Sequence, residues 1–194
     1  MPAGRPKQFD RTEALKGAMD VFWDHGYVGA SITDLVEGMG IGRQSLYDTF
    51  GDKRGLYLQA LDHYMSTTMR CVIDRLAEPG SGLENVRAVL KMWEQHNASP
   101  KCRGCMLSKS VADLPRDDPE VARILRRHVG RLEKAFKDAL DRAQSAGDIS
   151  AKTSTRALAW TLTNTGQGLS LLGNLGVGKM TVNDIIKTTE RLLV

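Results

Sequence analysis

SITDLVEGMGIGRQSLYDTFGDK, residues 31–53, decides the fold. Ile32, Leu35, Val36 and Met39 fall at i, i+3, i+4 and i+7, which is one face of a helix. Ser31 is a favoured N-cap, with Thr33 and Asp34 in the first turn behind it. Gly38, Gly40 and Gly42 cannot all lie inside a stable helix, so the chain turns there. Leu46 and Phe50 then repeat at i, i+4 and point inward, while Arg43, Gln44, Tyr47 and Asp48 take the opposite face. Two short helices and a tight turn make a helix-turn-helix. One helix braces, and the second offers polar side chains to a DNA major groove.

The surrounding composition narrows the class. The chain has 194 residues, and 41% of them are hydrophobic, ordinary for a soluble globular protein. No apolar run approaches the roughly 18–20 residues that span a membrane. The start, MPAGRPKQFD, lacks the apolar core of a signal peptide, so a cytoplasmic protein is expected. Three cysteines, Cys71, Cys102 and Cys105, are too few for a disulfide framework. Net charge is +4, but residues 1–53 hold six Lys/Arg against eight Asp/Glu, a net of −2. Bulk charge therefore does not mark the DNA-binding end. Individual cations must: Arg5 and Lys7 in a leading arm, Arg43, Lys53 and Arg54.

Outward from the motif, periodicity predicts an all-α chain of about nine helices. Pro2, Gly4 and Pro6 make residues 1–9 a mobile arm. A helix follows over 10–25, with Leu15, Ala18 and Phe22 inward and Gly26 at its end. Gly17 inside it costs about 1 kcal/mol relative to Ala. Asp52 caps a long helix over 53–76. Further helices are expected over 83–97, 105–113, 121–146, 153–172 and 181–194, separated by Pro and Gly breaks.

From about Ala14 to Leu61 the chain resembles the TetR (tetracycline repressor-like) family of transcriptional regulators. The match runs through Ala18, Phe22, Gly26 and Tyr27, then S-I-x-D-L, then G-I-G-x-x-S-L-Y-x-x-F-x-x-K over residues 40–53. The resemblance implies a homodimer that binds double-stranded DNA at a palindromic operator. It also implies that the last two long helices pair with their counterparts in a four-helix bundle, and that the C-terminal domain encloses a pocket whose small-molecule effector releases the protein; the candidate lining residues below make that effector largely apolar. Residues 1–52 would be the three-helix DNA-binding domain and 53–194 the effector-binding and dimerisation domain.

Gln44 can pair bidentately with adenine and Arg43 with guanine. Ser45, Tyr47 and Thr49 can donate hydroxyls to phosphates or bases. Thr33 sits at a helix N-terminus, where free N–H groups favour a phosphate oxygen. Lys53 stands where family members contact phosphate. For Tyr47 and Arg43 the alternatives are packing against the domain and plain solvation. Asp48 departs from the family, where histidine or another neutral or basic residue is common. A carboxylate facing phosphates is unfavourable unless it accepts an amine of cytosine or pairs with Arg43 or Lys53.

The second half says less. Met92, Trp93, Met106, Phe136, Trp160 and Asn164 are candidates to line a pocket, with plain core as the alternative. Helices near 153–172 and 181–194 form the expected dimer surface, the former rich in small and hydroxylated residues. Cys102 and Cys105 form a CxxC too incomplete for zinc, so no metal is expected. Lys101 and Arg103 flank Cys105 and favour its thiolate, which makes an electrophile- or oxidant-sensing repressor an alternative. An effector-independent DNA-binding protein is another. A cysteine enzyme lacks any fixed histidine partner, so enzymatic activity is not expected.

Overall fold

The computed structural model describes residues 9–97, 99, 106 and 118–193. Among the described residues there are eight helices and no strand. They are α1 (Arg11–Gly29), α2 (Ile32–Met39), α3 (Arg43–Phe50), α4 (Lys53–Ala77), α5 (Gly82–Asn97), α6 (Pro119–Ser145), α7 (Thr155–Asn174) and α8 (Lys179–Arg191). The ninth expected helix, over 105–113, lies outside the described residues apart from Met106, as do the leading arm, Cys102 and Cys105. The chain divides into two compact units. The first holds the described part of residues 1–66 and 106–124, and the second that of 67–105 and 125–194.

In the first unit, the Asp10 carboxylate starts α1 by accepting from the Thr12 and Glu13 N–H groups at 2.7 and 3.1 Å. Leu15, Ala18 and Phe22 are buried as the periodicity predicts. Gly26 breaks the helix with φ 71°, ψ 178°, and one more turn follows it. The sequence counted Gly17 only as a helix cost, and packing supplies its reason. A Cβ on Gly17 would stand 2.2 Å from the Gly38 carbonyl oxygen, so α1 and α2 touch backbone to backbone there. Gly38 accordingly lies inside α2, and the turn begins only at Gly40.

The first four turns of α4 complete this core. Leu56, Tyr57, Ala60, Leu61, Tyr64 and Met65 are all buried. Tyr57 meets Phe22 edge-on at 5.0 Å and Tyr27 at 4.9 Å, while Trp23 meets Tyr64 at 4.8 Å. The compact unit thus runs well past residue 52, because the HTH helices need the apolar face of α4 to close their core.

In the second unit, Val86, Val89, Leu90, Leu132, Phe136, Leu140, Leu158, Leu162, Leu169, Val182 and Ile186 are buried. The end of α4 is closed by side chains. Arg142 donates to the Leu76 carbonyl at 2.7 Å and Asn85 to the Glu78 carbonyl at 2.7 Å. Periodicity placed Arg142 on the outer face with Lys134 and Lys137. Those two lysines are ion-paired, with Asp138 and Asp141 at 2.6 and 2.5 Å, so their charges are neutralised locally.

Candidate nucleic-acid interface

Three local devices set the exposed face of α3. Ser31 and Asp34 form a capping box at the head of α2: the Ser31 hydroxyl accepts from the Asp34 N–H at 3.1 Å, and the Asp34 carboxylate accepts from the Ser31 N–H at 2.9 Å. The Ser31 hydroxyl first, and its N–H second, hold the Asp34 carboxyl below its ordinary value. Gly40 then takes the left-handed conformation, φ 64° and ψ 29°, and ends α2. Gly42 opens α3 without a side-chain cap hydrogen bond.

Leu46 and Phe50 are buried beneath α3. Arg43, Gln44, Tyr47 and Asp48 are exposed on it, and Ser45 is half-buried. The Gln44 Nε2 donates to Asp48 Oδ1 at 2.9 Å. The sequence offered Asp48 a partner in Arg43 or Lys53; the partner is Gln44, one turn away, and the i, i+4 spacing was the signal for it. Thr49 differs from its expected role. Its Oγ1 is buried, with no hydrogen-bond partner among the described residues, and Thr49 lies beside Leu46 and Phe50 on the inward half of the helix. It offers no open hydroxyl to a duplex.

Lys53 lies at the start of α4, where Asp52 caps the helix by accepting from the Gly55 N–H at 2.7 Å. The Lys53 ammonium is 4.9 Å above the Tyr27 ring and 3.4 Å from the Val28 carbonyl oxygen. It is held in place and keeps donors to spare. Thr33 is exposed in the first turn of α2. Arg54, read from the sequence as a cation near the DNA, is instead tied to Asp118 at 3.0 Å and to Glu120. The Glu120 and then the Asp118 carboxylate raise its pKa. Asp118 also caps α6. The Val121 N–H is the main reason that its carboxyl lies below the usual range, with Arg54 adding to it.

The six expected pocket residues have different settings. Trp93 and Phe136 pack 5.6 Å apart in the second unit, and Met92 is half-buried on the same helix as Trp93. Met106 is buried but belongs to the first unit. Trp160 and Asn164 are exposed, one turn apart on the outer face of α7. Their helix turns Leu158, Leu162 and Leu169 inward instead. Two open hollows in the second unit, of about 460 and 410 Å³, have largely charged or polar walls, among them Arg75, Arg87, Lys91, Glu94 and Lys187 in the first and Glu94 and Lys179 in the second.

The outer face of α7 carries Trp160, Asn164, Gly168 and Leu171, with Leu175 just beyond. Trp160 is 46% exposed and Leu175 72%. The small residues on this helix have different tasks. Gly166 is buried under Trp93, where a Cβ would stand 2.6 Å from the indole ring. Thr161, Thr163 and Thr165 donate back to the carbonyls four residues earlier. Their hydroxyls are spent within the helix rather than across an interface.

The comparisons agree on the family. Residues 14–60 match the model for bacterial regulatory proteins of the tetR family, and residues 82–180 match the tetracyclin repressor-like C-terminal domain. The HTH-type transcriptional regulator YezE of Bacillus subtilis (strain 168) is 38% identical over 158 residues, 80% of this chain and 81% of that one. The HTH-type transcriptional repressor ComR of Escherichia coli (strain K12) is 31% identical over 97% of this chain and 91% of its own. Among solved structures, the TetR family transcriptional regulator CifR, cysteine-substituted and complexed with 26 bp double-strand operator DNA, is 32% identical. It covers 98% of this chain and all of its own, with a TM-score of 0.85. With its helix-turn-helix, its all-helical second unit and these matches to both halves, the chain belongs to the TetR family of bacterial transcriptional regulators.

Proposed function

We propose that this regulator is a repressor that binds a palindromic operator as a homodimer and is released by a small-molecule effector, acting in the cytoplasm without catalysing a reaction. The observation that carries the DNA half is the open polar face of α3, with Arg43, Gln44 and Tyr47 outward over a buried Leu46 and Phe50. Arg43 and Gln44 read base edges; Ser45, Tyr47, Lys53 and Thr33 meet phosphates and set register. The dimer half is supported by the apolar strip of Trp160 and Leu171 on α7 with Leu175 just beyond it, joined by Met180 and Leu192 at the two ends of α8. A dimer through these helices presents two α3 helices to half-sites about 34–36 Å apart. The effector is small and largely apolar, and the second unit, where Trp93 meets Phe136, is where it acts. It shifts the equilibrium through a preference for the conformer whose α3 spacing does not fit the operator.

The test is titration of the purified protein onto DNA flanking its own gene, followed by fluorescence anisotropy at rising salt. Affinity should fall linearly on a log–log plot as counterions are released. Failure to bind any palindrome in that DNA would overturn the reading.

A further inference from the structure

Asp48 is the residue on α3 that a phosphate-binding surface does not explain. It is exposed on the same face as Arg43, Gln44 and Tyr47, in a stretch of 53 residues that already carries more acids than bases. A carboxylate there weakens attraction to every duplex alike. On that face it meets Gln44, whose Nε2 donates to Asp48 Oδ1 at 2.9 Å. That bond orients the amide. The nitrogen faces Asp48, which leaves Oε1 and the second N–H of Gln44 for a base, the pair that adenine N6 and N7 require.

Asp48 keeps Oδ2 and is an acceptor only. In the major groove, guanine offers two acceptors and thymine an acceptor beside a methyl group, so a carboxylate meets repulsion or loses water against both. Adenine offers an amine, but its N7 lone pair stands next to it. Cytosine offers the N4 amine with no neighbouring acceptor on that base. Gln44 and Asp48 are four residues apart, about 6 Å along the helix axis, which places their bases one or two steps apart.

We propose that Asp48 is a specificity-determining residue that accepts from a cytosine N4 amine. It does so one or two base steps from the adenine read by Gln44, and it trades affinity for unmatched DNA against discrimination. The inference rests on the operator-binding reading above. The experiment is selection from a randomised duplex pool with the intact protein and with Asp48→Asn, Asp48→Ala and Gln44→Ala, followed by anisotropy on the selected site. The native protein should require cytosine at one half-site position, with thymine there costing roughly five- to hundredfold in affinity. Asp48→Ala should reduce that preference to within about threefold and bind unmatched DNA more tightly at low salt. Asp48→Asn, which donates as well as accepts, should admit thymine or guanine. Gln44→Ala should relax the neighbouring adenine while leaving the cytosine required. Unchanged preference at every position in both Asp48 variants would overturn the proposal, as would an Asp48-dependent position that is not cytosine. A native protein that enriches no sequence would instead overturn the operator-binding reading itself. Both side chains are exposed, so the variants keep the buried core of α3 intact.

Discussion

Helices α3 and α7 each bury one face and leave another open, and the two open faces have opposite chemistry. On α3 the open face is Arg43, Gln44, Tyr47 and Asp48 above a buried Leu46 and Phe50. On α7 it is Trp160, Asn164, Gly168 and Leu171 above a buried Leu158, Leu162 and Leu169. A polar face with fixed donors and acceptors suits a hydrated, patterned partner such as a DNA groove. An apolar face with a small residue in its middle suits a partner of the same kind, packed closely. Under the proposed function, the difference separates two tasks, reading DNA and pairing with a second copy, onto two helices in two units, so each should be removable without the other.

The largest effect should come from beneath α3 rather than on it. Gly17→Ala gains helix propensity worth about 1 kcal/mol, yet its methyl would meet the Gly38 carbonyl oxygen at 2.2 Å. The net outcome should be a loss of about 3 kcal/mol in urea unfolding followed by circular dichroism, with DNA binding lost alongside. A more stable Gly17→Ala protein would show that α1 and α2 can part without cost, and that the α3 face does not depend on their contact. Next, Trp160→Ala should raise the dimer dissociation constant about thirtyfold in sedimentation equilibrium, as an aromatic anchor does. It should leave the base preference of α3 unchanged. The reverse experiment is Arg43→Ala, which should cost about tenfold at the operator and nothing in dimerisation. Lys53→Ala should weaken all duplexes alike and lower the salt slope by about one. If Arg43→Ala dissociated the dimer or Trp160→Ala altered base preference, the two faces would not be independent.

The face of α3 was legible in the sequence because it is local. Leu46 and Phe50, one turn apart behind a cluster of glycines, determine which side of an eight-residue helix points out. Asp48 was visible as a departure, but its partner was sought in the cations Arg43 and Lys53, while the i, i+4 spacing already pointed to the neutral Gln44. Gly17 was legible as a cost and illegible as a contact, because its partner Gly38 lies 21 residues away across a helix pair. The settings of the expected pocket residues were illegible for a related reason. Helix α7 carries apolar side chains on two faces, Leu158 and Leu162 on one and Trp160 and Leu171 on the other. Periodicity says that two stripes exist; which one meets α5 is decided by Gly166 accommodating Trp93, a tertiary fit that no single helix records.

The smallest effect tests how the second unit holds α7 in place. Asp141 on α6 receives the Lys137 ammonium at 2.5 Å and the Thr155 hydroxyl, from the first turn of α7, at 2.6 Å. The Lys137 bond is the main cause, and the Thr155 bond the next, of a carboxyl pKa below the ordinary value. A carboxylate whose folded pKa is lowered stabilises the fold fully above its unfolded value near 4. That contribution vanishes as pH falls through the lowered folded value. The side chains of the pair are 40% and 42% exposed, so water and salt screen the pair. Asp141→Asn should therefore lower Tm by only about 1–2 °C at pH 7 and by progressively less as the pH falls below about 4. Because Asp141 anchors α7 at Thr155, five residues ahead of Trp160, the same variant should weaken dimerisation slightly at pH 7 while leaving operator preference untouched. A dimer indifferent to Asp141→Asn would mean that the apolar strip sets its own position, and that the start of α7 is not part of what presents it.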